Sequence, residues 1–272
     1  MTVFTWTNIA KIFSGAECLP PLFANGSAIT VGNFDGVHIG HAVLFDMVRA
    51  ASSVRSLVPG AVTFSQSFGA FKADSAYGGD ITTLNQRLEL FEKNGMSFAV
   101  VIDFSAEFGK IDGSDFLSML RTCCCMNYIA EGVDFRCGHR GAYGSSNIAQ
   151  FAQENGIVAE FAAPVLCNGE RVSSSLIRAL IQRGDFFAAG NMLGRDYALD
   201  CAHVPWAQCG SMLSCSREHI VQVLPPEGEY AVALVTPETR MRARLYVEPH
   251  HLRLEVSSEK TRRVRTIAFI TN

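Results

Sequence analysis

Residues 30–41 read TVGNFDGVHIGH. The stretch carries Gly32, Gly36 and Gly40, the carboxylate of Asp35, and two imidazoles, His38 and His41. Glycines let a backbone come close to a ligand. Histidines three apart on the first turn of a helix face the same way. Two imidazole N–H groups aimed at one point suit phosphate oxygens, and a helix N-terminus adds free backbone N–H groups. The stretch is not a Walker A loop, because no Gly-Lys-Ser/Thr follows. Two other readings stand beside this one. One is a metal site of Asp35, His38 and His41, for which no further ligand is evident, so no protein-held metal is expected. The other is a tight turn with a surface histidine pair.

A second cluster lies at residues 172–178, VSSSLIR. Ser173 or Ser174 can cap a helix whose apolar face is Ile177, Leu180 and Ile181. Arg178 lies one turn further on, where a guanidinium can reach a phosphate. Alone this is an ordinary helix start. Paired with the His-x-Gly-His stretch, it reads as two helix N-termini gripping one polyphosphate.

The elements that must position these residues follow from periodicity. Ser27–Val31 reads as a buried strand, and Val43, Leu44, Met47, Val48 and Ala51 recur at helical spacing after Gly40. Strands follow at Gly60–Phe64, Ser97–Phe104, Tyr128–Ala130 and Ile157–Ala162. Between them lie helices capped at Thr83, with Gln86 completing a capping box, and at Ser114, and a helix near Asn147–Glu154. This alternation predicts an α/β unit with a parallel sheet and helices on both faces. In such sheets ligands sit outside the carboxyl ends of the strands, where the opening stretch falls.

The pattern changes after about residue 200. A loop-rich stretch, HVPWAQCGSMLSCS, precedes expected strands at Val221–Leu224, Tyr230–Val235, Arg240–Val247, His251–Val256 and Val264–Ile270. They predict a small antiparallel, barrel-like sheet with one polar and one apolar face. Arg240, Arg242 and Arg244 alternate along one strand with Glu248 and Glu255 nearby, as on a solvated face. The expected organisation is residues 1–185, a linker helix over 186–199, and residues 200–272.

Composition narrows the function classes. A 272-residue chain that is 48% apolar and 18% charged suits a well-filled globular protein. A net charge of −3 gives no reason to expect nucleic acid or an anionic membrane as partner. No apolar run approaches the length of a membrane span, and the first residues, MTVFTWTNIAKIF, lack the pattern of a signal peptide. The nine cysteines include the run Cys123, Cys124 and Cys125 but no CxxC pair. Reduced thiols and a cytoplasmic location are expected.

GNFDGVHIGH, GVDFRCGHRG (Gly132–Gly141) and VSSSLIRALIQRGDFFAAGNMLGRDY (Val172–Tyr197) stand in order along the chain. Together they resemble the bacterial bifunctional riboflavin kinase/FAD synthetase family. The resemblance is to its FMN adenylyltransferase domain, of the His-x-Gly-His nucleotidyltransferase superfamily, and covers roughly residues 15–200. TLNQRLELFEKNGMSFAVVIDFSAEF (Thr83–Phe108) resembles the family as well. It implies a Rossmann-like nucleotidyltransferase fold and the reaction of ATP with FMN to give FAD and pyrophosphate, with Mg²⁺ accompanying ATP. By the same resemblance, Gly32, Asn33, Phe34, Asp35 and Gly40 would line the nucleotide site. His38 and His41 would bind the ATP phosphates and stabilise the leaving pyrophosphate. Ser173, Ser174 and Arg178 would hold the triphosphate, with His38, His41 and Arg178 as the catalytic set. Gly132, Asp134, Phe135 and Arg136 would lie near flavin and adenine, and Phe64 and Phe104 would pack on the isoalloxazine.

Two departures from the family stand out. Its usual Phe-Asp-Pro-His-Pro is replaced by Phe64-Ser65-Gln66-Ser67-Phe68. Its kinase motif, Gly-x-Pro-Thr-Ala-Asn, does not occur after residue 200, although LPPEGEYAVALV (Leu224–Val235) resembles a strand of the kinase barrel. The expectation is an FAD synthetase without riboflavin kinase activity. An adenylyltransferase for another phosphate acceptor and a catalytically weak or inactive flavin or nucleotide binder are the alternatives.

Overall fold

The computed structural model describes residues 1–66, 77–105, 107–235, 239–256 and 264–270. The chain forms two units. The first comprises Met1–Phe34, Gly40–Phe71 and Arg87–Val165, and the second Asp35–Ile39, Lys72–Gln86 and Leu166–Asn272.

The first unit is a Rossmann-like parallel sheet with helices. Its strands are β1 (Thr2–Thr5), β2 (Ser27–Val31), β3 (Val58–Phe64), β4 (Phe98–Ile102) and β5 (Met126–Gly132). A two-residue ribbon, β6 (Arg136–Cys137) with β7 (Tyr143–Gly144), precedes β8 (Val158–Ala162). The sheet order is β1-β4-β3-β2-β5-β8, every neighbour parallel. β2 and β4 are buried at every position, so neither shows the alternation of a half-exposed strand; β4 is apolar throughout, while β2 also buries Ser27 and Thr30. The core joins Phe23, Ile29, Val62, Phe98, Leu120 and Ile148 from strands and helices. Gly60 allows β3 to receive its neighbour: a Cβ there would lie 2.2 Å from the Phe98 ring on β4.

The helices are α1 (Trp6–Phe13), α2 (Ile39–Arg55), α3 (Leu84–Lys93), α4 (Gly113–Cys123), α5 (Ser145–Glu154), α6 (Ser174–Gln182) and α7 (Phe186–Leu193). Thr83 and Gln86 form the expected capping box, each backbone N–H bonded to the other's side chain. The cap of α4 is Asp112, not Ser114, which lies inside the first turn. Gly113, the first residue of α4, leaves room for Tyr143: a Cβ there would lie 2.2 Å from that side chain. β1 and α1 were not anticipated, and Thr5 joins them by a capping box with Asn8. Cys123 and Cys124 are buried, and the Cys123 thiol lies 3.4 Å from the Ile9 carbonyl of α1. All nine cysteines are free thiols.

The second unit begins with the short hairpin β9 (Leu166–Cys167) and β10 (Glu170–Arg171), followed by α6 and α7. Its main feature is a curled antiparallel half-barrel sheet. The strands are β11 (Ala198–Asp200), β12 (Ala207–Cys209), β13 (Met212–Ser216), β14 (Gly228–Val235), β15 (Arg240–Val247), β16 (His251–Glu255) and β17 (Thr266–Phe269). Their order is β11-β17-β14-β15-β16-β13-β12. The stretch read as loop-rich contains the β12–β13 hairpin, closed at Gly210, which takes φ +58°. The expected strand at Val221–Leu224 is absent. Gln222 makes only an isolated bridge with Asp80, and its buried amide instead donates to the carbonyls of Ile81 and Ala198. On β15, Arg240 pairs with Asp196 at 2.7 Å and Arg244 with Glu229 at 3.0 Å, as on a solvated face. Beneath the sheet, the Phe186 and Phe269 rings stack with centroids 4.2 Å apart. Among the described residues no helix is long and apolar enough to cross a membrane.

Candidate active site

β2 ends at Val31, and the chain then turns at the carboxyl end of the parallel sheet. In the first unit, the Gly32 N–H donates to the Val62 carbonyl at 3.0 Å. The Asn33 carbonyl accepts from Arg87 Nη1 at 2.9 Å and from Thr63 Oγ1 at 3.1 Å. Arg87 is buried and also donates to the carbonyls of Phe64 (2.9 Å) and Ser65 (3.2 Å). One guanidinium thus fastens the ends of β2 and β3. Phe34 takes φ +50°, and its ring is buried against Phe45, Phe91 and His41. That leaves its backbone, not its ring, for a nucleotide. His41 is half-buried on α2, its ring edge-on to Phe34 with centroids 5.0 Å apart.

The loop 35–39 belongs to the second unit. The Asp35 carboxylate is buried and accepts from the N–H groups of Ile81 (2.9 Å) and Thr82 (3.0 Å), from Thr82 Oγ1 (3.3 Å) and from Arg178 Nη2 (2.8 Å). Burial, and then Asp80, push its pKa up against these donors and Arg178. These bonds tie the Asp35 carboxylate to the Ile81–Thr82 segment and to α6. Its carbonyl accepts from Ser174 Oγ at 2.8 Å, and the Gly36 N–H donates to Thr82 Oγ1 at 2.9 Å. Ser173 is the cap of α6, accepting from the Leu176 N–H at 3.2 Å. Arg178 donates Nε to the Gly79 carbonyl at 2.9 Å and lies over the Tyr77 ring at 4.5 Å. Asp35, Ser174 and Arg178 are therefore one bonded cluster.

His38 is 7% exposed, and its pKa is pushed down to about 4, chiefly by burial and then by the Arg195 cation. At neutral pH it is an uncharged imidazole. Arg195 follows α7 and reaches back to the loop, its Nη2 2.6 Å from the Gly36 carbonyl and its Nη1 3.0 Å from the Val37 carbonyl.

The residues assigned to flavin lie in the first unit. Phe64 and Phe104 are half-buried with centroids 6.1 Å apart, and Phe108 joins both at 6.0 and 5.6 Å. Gly132 to Phe135 is a tight turn closed by the Phe135 N–H on the Gly132 carbonyl at 3.0 Å. Asp134 and Arg136 are exposed, and Phe135 packs on the core. Of the Phe64–Phe68 loop, residues 67 and 68 lie outside the described residues.

Thr82, Arg87, Glu131 and Arg195 also bond to these loops and strands, with no motif of their own that marks them in the sequence. Glu131 is fully buried at the end of β5, accepts from the Val31 N–H at 2.6 Å, and has its pKa raised well above the ordinary carboxylate range by burial. Arg195 stands in the quoted GRDY stretch, which is the one signal that could have found it. The contacts of Arg87 and Arg195 run to backbone carbonyls, which no residue pattern records.

The sequence profile described as FAD synthetase matches residues 21–176. Relatives named bifunctional riboflavin kinase/FMN adenylyltransferase come from several bacteria. That of Escherichia coli (strain K12) is 26% identical over 231 residues, spanning 83% of this chain and 73% of the relative. That of Haemophilus influenzae is 23% identical over 211 residues, spanning 76% and 68%. That of Listeria monocytogenes is 23% identical over 253 residues, spanning 89% and 73%. A crystal structure titled as a macrolide-efflux protein from Streptococcus pneumoniae superposes with a TM-score of 0.79 at 17% identity, covering 99% of this chain and 90% of that one. At that identity the likeness is one of fold. With more than half of its length matched by the family profile, and the His-x-Gly-His loop, the α6 cap and the GVDFR turn all in place, this chain belongs to the FAD synthetase family.

Proposed function

We propose that this protein is an FMN adenylyltransferase, forming FAD and pyrophosphate from ATP and FMN, and that it lacks riboflavin kinase activity. A phosphate oxygen of FMN attacks the α-phosphorus of ATP, the bond to the bridging oxygen breaks, and pyrophosphate leaves. The nucleophile is already an anion, so no covalent intermediate is needed. What the reaction requires is alignment of two repelling anions and neutralisation of charge on the leaving group. One observation carries the reading. A buried, uncharged histidine, His38, stands on a loop fastened by Asp35, Arg178 and Arg195, just ahead of the α2 N-terminus that bears His41.

In this reading His38 and His41 donate to the ATP phosphates. The backbone of Gly32, Asn33, Phe34, Asp35 and Gly40 gives the nucleotide a close approach. Ser173, Ser174 and the remaining edge of Arg178 face the triphosphate. Phe64 and Phe104 pack on the flavin, and Gly132, Asp134, Phe135 and Arg136 border flavin and adenine. Mg²⁺ fits as an ion that arrives on ATP and is held by phosphate oxygens. Among the described residues no cluster of three or more His, Cys, Asp or Glu could hold it, and the Asp35 carboxylate is already occupied. The absence of Gly-x-Pro-Thr-Ala-Asn after residue 200 supports the loss of kinase activity. A cytoplasmic location agrees with a supply of ATP.

The test is separation of flavins by chromatography after incubating the purified protein with ATP and Mg²⁺, once with FMN and once with riboflavin. FAD from FMN alone is the expected result. FMN or FAD appearing from riboflavin contradicts the loss of kinase activity. No FAD from either, with flavin still bound, makes the protein a binder.

A further inference from the structure

Two residues of the loop ahead of α2 stand in the left-handed region, Gly36 at φ +84° and Val37 at φ +41°. Glycine takes this conformation freely. A β-branched residue does so only where its surroundings hold it there. Both carbonyls of this turn are held by one side chain. Arg195 follows Gly194, the left-handed residue at φ +71° that ends α7, and its guanidinium turns back onto the loop. Nη2 donates to the Gly36 carbonyl at 2.6 Å and Nη1 to the Val37 carbonyl at 3.0 Å. Nη1 also donates to the Leu193 carbonyl at 3.2 Å, so the same fork is tied to the end of α7. Burial lowers the pKa of Arg195 to about 10, which leaves it charged at neutral pH. The Val37 carbonyl belongs to the peptide that leads into His38, so a half-buried cation fixes that peptide on its oxygen side.

We propose that Arg195 is a positioning residue that keeps the strained Gly36–Val37 turn closed and thereby sets where the His38 imidazole points. The inference rests on the reading of His38 as a phosphate ligand in adenylyl transfer. Arg195 is also the charged group that acts on His38 through space. Of the other ionisable groups around the loop, Asp35 is bonded to Arg178, Asp80 acts on Asp35, and His41 follows one turn along α2.

The full chain is tested as Arg195→Met, as Val37→Gly and as the double variant. In FAD formation from FMN and ATP, Arg195→Met is expected to lower kcat at least about tenfold while the KM for FMN stays within about twofold, as misplacement of one aligned group does. Val37→Gly removes the strain that the fork opposes. In the Arg195→Met background it is expected to restore kcat by about fivefold or more, whereas glycine in a protein that is merely less stable would weaken it further. Unchanged kcat in Arg195→Met, or a double variant no faster than the single, overturns the proposal. If Arg195→Met does not fold, Arg195→Lys takes its place, since lysine keeps the charge and loses the fork. A second readout needs no turnover. The His38 imidazole, followed by NMR, is expected to titrate at higher pH in Arg195→Met than in the wild type, as a nearby cation is removed. An unmoved His38 titration overturns the proposal whether or not the protein is active. A wild-type protein that makes no FAD overturns the proposed reaction instead, and the His38 titration then decides the role of Arg195.

Discussion

His38 links folding to pH. Its pKa falls from an ordinary 6.5 to about 4 in the folded chain, with burial as the main cause. Between those values the unfolded chain binds a proton that the folded chain refuses, so stability rises with pH across this window and falls on acidification. At about 1.4 kcal/mol per pH unit, the loss from this group by pH 4 is roughly 3 kcal/mol. Urea unfolding at pH 7, 6 and 5 should show it, and His38→Gln should flatten the slope. Equal slopes in variant and wild type would contradict the assignment. Asp35 makes a different prediction. Its buried carboxylate pairs with Arg178, so Asp35→Ala leaves a buried cation unpaired and should cost about 3–5 kcal/mol in the same assay. A loss below about 1 kcal/mol would mean that the pair does not hold the loop. The place of His38 and His41 around the start of α2, and of Ser173 and Arg178 on α6, was legible in the sequence because glycine punctuation and helix-start spacing mark it. The engagement of Asp35 with Ile81 and Thr82, 46 and 47 positions away, was not, because it depends on how the chain returns to the loop.

Elements with strong periodicity were legible and those held by tertiary pairing were not. The short β-branched and apolar stretches of β2 and β4 and the box at Thr83 and Gln86 each have a local cause, and each was found. β12 and β13 form a hairpin in a segment whose alternation is weak, and β13 gains its place by pairing with β16. β1 is four residues long with mostly exposed side chains, and pairing with β4 makes it a strand. Gly60 gives a test at this scale. Gly60→Ala would bring a Cβ within 2.2 Å of the Phe98 ring and should cost about 1–3 kcal/mol as overpacking. A thermal melt unchanged by the substitution would show that the β3–β4 packing yields. Ser173→Ala removes the α6 cap and should cost about 1 kcal/mol.

At the scale of the whole molecule, the chain joins a parallel α/β sheet to a seven-stranded antiparallel half-barrel. The change from helix-and-strand alternation to short alternating strands marked both architectures in the sequence. The two units are nevertheless interleaved: the second takes Asp35–Ile39 and the segment ending at Gln86 from within the span of the first. No linear boundary describes that, since the segments join the second unit through Asp35, Thr82 and Gln222 rather than through sequence neighbours. The second unit therefore contains the loop of His38 as well as the half-barrel. The most direct test is to measure pyrophosphate release and FAD formation together, with ATP, Mg²⁺ and FMN, in the wild type and in His41→Ala. FMN-dependent pyrophosphate is expected in equal amount to FAD, with both rates falling by roughly 10²-fold in His41→Ala, the scale for losing one donor to the transition state. Wild-type protein that forms no FAD from FMN, or a His41→Ala variant that turns over at the wild-type rate, would contradict this expectation.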